Sequence, residues 1–119
     1  MEILGLSWLG TRTERFDEMR AFAKDVLGLK VLKDEPGVAF FELANGDQFE
    51  IFASDYPAGG HPPAGAVAAF TVSDAAAARD ELCAAGLEVG ELDSLMGYTW
   101  AYFTAPDGNK YMVLDGAQA

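Results

Sequence analysis

The sequence predicts an α+β fold of two βαβββ modules in tandem, which form one curved mixed sheet with a concave cup inside and the helices outside. Two observations predict it. The order of strand, helix and three strands occurs twice along the chain, and residues of the second half match those of the first. With 119 residues, half of them hydrophobic, the chain has the size and the apolar content of one domain, 1–119, with a core.

The first module covers about residues 1–54 and begins with an apolar strand at Ile3–Arg12. Thr13 is expected to cap the helix that follows, and Gly28 to end it. Apolar residues recur at helical spacing and are expected to form the buried side of that helix: Phe16, Met19, Ala23, Val26 and Leu27. Three strands complete the module, with the turn dipeptide Asn45-Gly46 between the last two: Leu29–Lys33, Val38–Leu43 and Gln48–Phe52.

The second module covers about residues 66–116 and follows a linker at 55–65 that is rich in Pro, Gly and Ala. It starts with a strand at Val67–Val72 and a helix at Ala75–Ala85, for which Asp74 is the expected cap. Three further strands are predicted: Leu87–Leu92, Thr99–Thr104 and Lys110–Leu114.

The internal repeat holds at the level of single residues. A shift of 62 positions aligns Phe40-Phe41 with Tyr102-Phe103, and the turn Asn45-Gly46 with Asp107-Gly108. Because one such module could hardly bury both faces of its sheet, we expect the two modules to form a single domain.

Alternation along the strands separates a helix-facing side from a concave side. Glu42 is not expected to point at the helix layer, so alternate residues of its strand take the concave side. The same reasoning on the other strands gives a concave side with Val38, Phe40, Glu42, Gln48, Glu50, Phe52, Trp100, Tyr102, Thr104, Lys110, Met112 and Leu114.

Composition excludes several classes of function. Eight Lys and Arg against nineteen Asp and Glu give a net charge of −11, which argues against nucleic acid and against an anionic membrane surface as partners. One Cys and one His exclude an internal disulfide, a cysteine zinc site and a multi-histidine metal centre within one chain. We recognise no targeting or membrane-spanning segment, so a cytoplasmic location is expected.

Two segments carry a family resemblance. Phe103-Thr104-Ala105-Pro106-Asp107-Gly108-Asn109 resembles an F-x-D-P-D-G-N hairpin, with Ala105 in place of the first Asp, and Phe22–Leu29 resembles an F-Y-x-x-x-L-G-L helix end. Both motifs belong to the vicinal oxygen chelate superfamily, which includes glyoxalase, extradiol dioxygenases and bleomycin-resistance proteins. The resemblance implies the tandem fold, a small-molecule ligand and a homodimer.

Metal-dependent members of that superfamily place ligands, usually His, Glu or Gln, at four positions. The resemblance puts these positions at Trp8, Glu50, Val67 and Met112. Only Glu50 carries a group that binds a hard or borderline divalent metal, so no metal cofactor is expected. The alternative is a divalent metal held by other ligands, such as Glu42, Glu50 and His61 together.

The aromatic residues of the concave side favour a metal-independent protein that binds an aromatic or cationic compound, as bleomycin-resistance proteins do in antibiotic resistance. Rings stack on aromatic side chains, and aromatic faces and carboxylates both attract cations. The expected ligand-binding residues are Trp8, Phe40, Glu42, Glu50, Phe52, Val67, Trp100, Tyr102 and Met112.

Whether the protein is an enzyme stays open. A metal-independent lyase, isomerase or oxygenase-like enzyme would use Glu50 as its catalytic base, because a carboxylate buried among aromatic rings has a raised pKa. A metalloenzyme of the glyoxalase or dioxygenase type would need metal ligands other than the residues at the four positions that the resemblance indicates. A structural or regulatory dimer with a filled cup is the last alternative.

Overall fold

The structure, a computed structural model, describes residues 1–57 and 65–116. The chain divides into two compact units. We call Trp8–Ala66 the first-module unit, and Met1–Ser7 together with Val67–Ala119 the second-module unit. The predicted α+β fold class with its repeated βαβββ order is confirmed. Most of the predicted linker lies outside the described residues.

The strands of the first-module unit lie in the order β2-β3-β4-β1. Strand β1 runs parallel to β4, and the other neighbours are antiparallel. The elements in chain order are β1 Gly5–Thr13, α1 Phe16–Ala21, a π-helical turn Phe22–Val26, β2 Lys30–Glu35, β3 Val38–Glu42 and β4 Gln48–Ala53.

The second-module unit repeats this arrangement with the order β5-β8-β7-β6. Strand β5 runs parallel to β8, and the other neighbours are antiparallel. The elements in chain order are β5 Gly65–Thr71, α2 Ala75–Ala84, β6 Asp93–Leu95, β7 Tyr98–Thr104 and β8 Lys110–Gly116.

The two modules contain the same hairpin, between β3 and β4 and between β7 and β8. In Leu43–Asp47 and Ala105–Asn109 the glycine has a positive φ, 91° at Gly46 and 86° at Gly108, and its N–H donates to the carbonyl three residues earlier. The residue before each glycine accepts from the backbone N–H of the residue after it: Asn45 Oδ1 from Asp47 N at 3.1 Å, and Asp107 Oδ1 from Asn109 N at 3.0 Å. The repeat found in the sequence therefore extends to hydrogen-bond geometry.

The first helix differs from its prediction at its N-terminus and in its last turn, whereas Gly28 follows the Leu27 C-cap with φ 65° and ends the helix as predicted. Its N-cap is Arg15, while the Thr13 hydroxyl accepts from the Arg15 N–H in the turn before the helix. At the other end, Leu27 N–H donates to the carbonyl of Phe22, five residues earlier. This π-helical turn rotates the last residues away from the sheet, so Val26 and Leu27 are 71% and 50% exposed instead of buried.

The strand predicted at Leu87–Leu92 is wrong. Only an isolated bridge from Val89 to Phe103 forms there, and the strand begins later, as β6 at Asp93–Leu95. Gly90, which weakens a strand, interrupts the segment. The first module has a register shift between Val31 and Lys33 at the matching place in β2, so this break is a property of the repeat.

Each unit has its core between its helix and one face of its sheet. In the first-module unit, Phe16 and Ala23 pack against Ala39, Phe41 and Ile51. The corresponding cluster of the second-module unit contains Val72, Ala75, Ala78, Ala101 and Val113. The opposite sheet faces carry the residues that the sequence singles out. Within residues 1–57 and 65–116, no helix combines the length and the apolar character that a membrane span requires.

Candidate functional site

The sheet face of the first-module unit that lies away from α1 carries side chains in rows across the four strands. Register pairs place Lys33, Phe40, Glu50 and Gly10 in one row. The next row contains Glu35, Val38, Phe52 and Arg12, and the row on the other side contains Lys30, Glu42, Gln48 and Trp8. We call the group formed by Trp8, Phe40, Glu50 and Phe52 the aromatic face.

Glu50 is a carboxyl group with little access to water, since the residue is only 9% exposed. Burial raises the pKa of this carboxyl from the ordinary 4.5 to about 7, and the positive charge of Lys33 opposes the rise. Its register neighbours are Phe40 and Gly10, which offer no side-chain donor. A carboxyl group in this environment can hold or release a proton near neutral pH.

The Trp8 side chain is held against Gly10 of the same strand. A Cβ added at Gly10 would lie 2.8 Å from Cζ3 and 3.1 Å from Cε3 of Trp8. The absence of a side chain at residue 10 therefore lets the indole cover the strand beside Glu50. This packing contributes to the dry surroundings of the carboxyl group.

Three rings follow one another along this face. Phe40 and Phe52 meet edge to face with centroids 5.9 Å apart, and Phe52 and Tyr56 are 5.7 Å apart at 42°. The Lys33 ammonium lies 5.3 Å from the Phe40 centroid, within the range of a cation–π interaction. Phe52 is buried, whereas Phe40 and Tyr56 keep part of their surface exposed, so rings of a ligand can reach them.

Arg12 is a buried cation on this face that sequence reasoning did not select as a site residue. It is only 9% exposed, and its Nη2 donates to the Tyr56 carbonyl at 2.7 Å. Its Nε is buried and has no hydrogen-bond partner within the described residues. The available signal was the alternation of β1, since Arg12 follows Trp8 and Gly10 at intervals of two residues on the same face.

The predicted ligand-binding residues are divided between the sheet faces of the two units. Glu42 shares the first-module face but lies at its edge, where its carboxylate is 3.5 Å from the Lys30 ammonium. On the second-module sheet, the face away from α2 carries Val67, Trp100, Tyr102 and Met112. Val67 and Met112 are buried, and the other two are partly exposed. The role of these nine residues in binding stays a prediction.

The donor chemistry does not fit a metal at the four positions implied by the resemblance. Indole, isopropyl and thioether groups at Trp8, Val67 and Met112 leave Glu50 as the one hard donor. In the part of the chain that the structure describes, no three His, Cys, Asp or Glu side chains are grouped to hold a metal ion. The alternative ligand set includes His61, which lies outside the described residues.

A separate open cleft of about 440 Å³ lies at the start of α1. Its lining includes Arg15 and Glu18, which form an exposed ion pair, and Pro36-Gly37 from the turn before β3. None of the predicted ligand-binding residues lines it.

Comparison with solved structures supports the fold. A manganese(II)-bound glyoxalase from Novosphingobium aromaticivorans is 22% identical with a TM-score of 0.75, over 98% of this chain and 42% of that chain. A methylmalonyl-CoA epimerase from Mycobacterium tuberculosis is 18% identical with a TM-score of 0.73, over 97% of this chain and 89% of that one. A glyoxalase/bleomycin resistance protein/dioxygenase superfamily member from Vibrio splendidus 12B01 is 16% identical with a TM-score of 0.69, over 90% and 95%.

No curated protein matches the sequence. A family model does match, over residues 5–113, and this range covers most of both modules and includes both motifs noted in the sequence. The resemblance inferred from the two motifs and the repeat is thereby confirmed. The chain belongs to the Glyoxalase/Bleomycin resistance protein/Dioxygenase superfamily.

Proposed function

We propose that the protein binds a small organic molecule with an aromatic ring on the aromatic face, and that it does so without a metal. The observation that carries this proposal is the run of rings Phe40, Phe52 and Tyr56 beside the buried carboxyl of Glu50. Ligand sites of this kind combine apolar and aromatic walls with a few polar groups that fix orientation. Offset or edge-on contacts between a ligand ring and Phe40 supply the attraction.

The test is a titration with planar aromatic compounds, including glycopeptide and polyketide-like antibiotics, followed by tryptophan fluorescence and by the indole N–H signals in NMR spectra. Phe40→Ala is expected to weaken binding by about tenfold, because aromatic contact and buried area are lost together. Phe22→Ala removes an equally large ring, 43% exposed, from the π-helical turn and serves as the matched control. If no compound perturbs the Trp8 signal, the proposal is wrong.

A second candidate is a metal-independent enzyme in which Glu50 is the general base. The specific observation is its pKa of about 7, since a base that titrates near the working pH transfers protons efficiently. Glu50→Gln is then expected to abolish turnover of a bound compound with little change in its affinity. Glu18→Gln is the control, because that exposed carboxylate lies on α1, on the other side of the sheet, and is paired with Arg15. Turnover that survives in Glu50→Gln would exclude this role.

We further propose that the chain forms homodimers in the cytoplasm. Support for the dimer comes from exposed apolar side chains of the first-module unit: Leu9 on β1, and Val26 and Leu27 at the end of the first helix. Sedimentation equilibrium over a range of concentrations tests it. The mass of a single chain at every concentration would contradict it.

A further inference from the structure

Arg12 is a buried cation whose hydrogen-bonding capacity is only partly used. Its Nη2 is bound by the Tyr56 carbonyl, while its Nε–H has no acceptor within the described residues. A buried donor without a partner is costly, and more so on a charged group, so folded proteins rarely keep one. An acceptor supplied by a ligand would satisfy it.

The charges around Arg12 leave it without a counter-ion. Of the carboxylates on this face, Glu42 is paired with Lys30, and Glu35 lies 3.9 Å from Lys33. In the described part of the chain, Arg12 forms no ion pair, and the cation that acts on Glu50 is Lys33. The neighbourhood of Arg12 therefore attracts a negative group, although the whole chain carries a charge of −11.

The Arg12 guanidinium is also held in a fixed place beside the rings. The Tyr56 carbonyl fixes one end of it, and the Tyr56 ring contacts Phe52, which is the register partner of Arg12. From strand spacings, the Cα atoms of Arg12 and Glu50 lie about 8 Å apart. A guanidinium fork matches the two oxygens of a carboxylate.

We infer that the ligand of the aromatic face is a planar aryl carboxylate, with its carboxylate bound by Arg12 and its ring packed on the partly exposed rings of Phe40 and Tyr56. This inference rests on the proposed function and deepens it, because it selects an anion among aromatic ligands. It also replaces the cationic compound, which the aromatic rings and carboxylates of the concave side suggested, with a ligand of opposite charge.

The experiment compares three probes of nearly equal shape: benzoate, the neutral benzamide and the cation benzamidinium. Binding is followed by the Nε–H signals of the four arginines, Arg12, Arg15, Arg20 and Arg79, in ¹H–¹⁵N NMR spectra of the whole chain. Benzoate is expected to bind at least tenfold more tightly than benzamide and to shift the Arg12 Nε–H signal.

Two variants of Arg12 test the assignment. Arg12→Gln is expected to weaken benzoate binding by about tenfold to a hundredfold, and Arg12→Lys, which keeps the charge but loses the fork, by a smaller factor. Arg15→Gln is the control, because Arg15 is exposed and paired with Glu18. Backbone NMR spectra show whether each variant is folded. If Arg12→Gln does not fold, Arg12→Lys alone tests the role of the guanidinium.

The probe titrations separate selection of an anion from binding on the aromatic face. If benzamide or benzamidinium binds as tightly as benzoate and shifts the Trp8 indole signal, the ligand is not selected as an anion, while binding on the aromatic face stands. Benzoate affinity that is unchanged in both Arg12 variants also overturns the inference. If none of the three probes shifts either signal while a larger aromatic compound shifts the Trp8 signal, the inference is wrong and binding on the aromatic face stands.

Discussion

The Trp8 indole lies so close over Gly10 that a Cβ at residue 10 would come within 2.8 Å of Trp8 Cζ3. Gly10 is also the register neighbour of Glu50, so the position of this indole and the dryness of the carboxyl group depend on the same missing side chain. The aromatic face is thus specified by a glycine as much as by its rings.

Gly10→Ala is therefore expected to displace the Trp8 indole and to lower the free energy of unfolding by about 1–3 kcal/mol, the usual cost of overpacking. Urea unfolding and the tryptophan emission maximum measure the two effects. Gly90→Ala is the matched control, because a Cβ there would meet its nearest atom, the Tyr102 carbonyl oxygen, at an ordinary 3.5 Å. Equal losses in the two variants would contradict the packing of Trp8 on Gly10.

The raised pKa of Glu50 predicts a loss of stability as pH rises. Folded Glu50 keeps its proton up to about pH 7, whereas the unfolded chain releases it near the ordinary 4.5. Between these values the folded state binds more protons, so the contribution is full below pH 4.5 and is lost progressively until pH passes 7. The whole effect is on the order of 3 kcal/mol.

Comparison with Glu50→Gln isolates this effect from the other carboxylates. The wild type and the variant are expected to have similar free energies of unfolding at pH 4.5, and the variant is expected to become the more stable one by pH 8. Urea unfolding across this range measures the difference. A constant difference between the two proteins at all pH values would mean that Glu50 ionises normally.

Lys33 is the cation that opposes the rise in the pKa of Glu50. Lys33→Met removes this charge and is expected to raise the Glu50 pKa further, above 7. The ¹³C signal of the Glu50 carboxyl, followed through a pH titration, measures it. Lys30→Met, which removes the ammonium paired with Glu42, is expected to leave the titration unchanged. A lower Glu50 pKa in Lys33→Met would contradict the conclusion that the Lys33 charge lowers this pKa.

Local patterns predicted the parts of the fold that depend on local chemistry. The two hairpins follow from Asn45-Gly46 and Asp107-Gly108, because a glycine in the left-handed region determines the turn whatever surrounds it. Asp74 caps α2 as predicted, by accepting from Ala77 N–H at 3.0 Å. The placement of Phe40, Glu50 and Phe52 on one face likewise follows from strand alternation.

Features that depend on packing were not predictable in this way. The π-helical turn at Phe22–Val26 changes which residues are buried, and no propensity marks it in advance. The role of Arg12 depends on the Tyr56 carbonyl, 44 positions away in the chain, which no pattern within β1 can indicate. A charged side chain in a strand is usually interpreted as solvent-facing, and here tertiary contacts bury it.

The turn between β6 and β7 predicts a stabilising substitution. Residues 94–98 form this hairpin, with Met96 at φ 54° and Gly97 at φ 86°. Met96 is 86% exposed and occupies a conformation that Asn adopts more readily. Met96→Asn is expected to raise the free energy of unfolding by about 0.5–1 kcal/mol. Gly97→Ala is expected to lower the free energy of unfolding, because residue 97 has a positive φ. A loss of stability in Met96→Asn together with a gain in Gly97→Ala would contradict this turn geometry.

Ligand binding on the aromatic face is expected to be independent of metal ions. Because Trp8, Val67 and Met112 cannot replace imidazole or carboxylate ligands, dialysis against EDTA is expected to leave the affinity for a bound aromatic compound unchanged. Elemental analysis of the untagged protein and a ligand titration before and after dialysis measure this. Glu50→Gln is the control, since it removes the one hard donor and should respond to EDTA in the same way as the wild type. A stoichiometric metal that EDTA removes together with ligand affinity, and that Glu50→Gln fails to retain, would establish a metal site at Glu50 and overturn metal-independent binding.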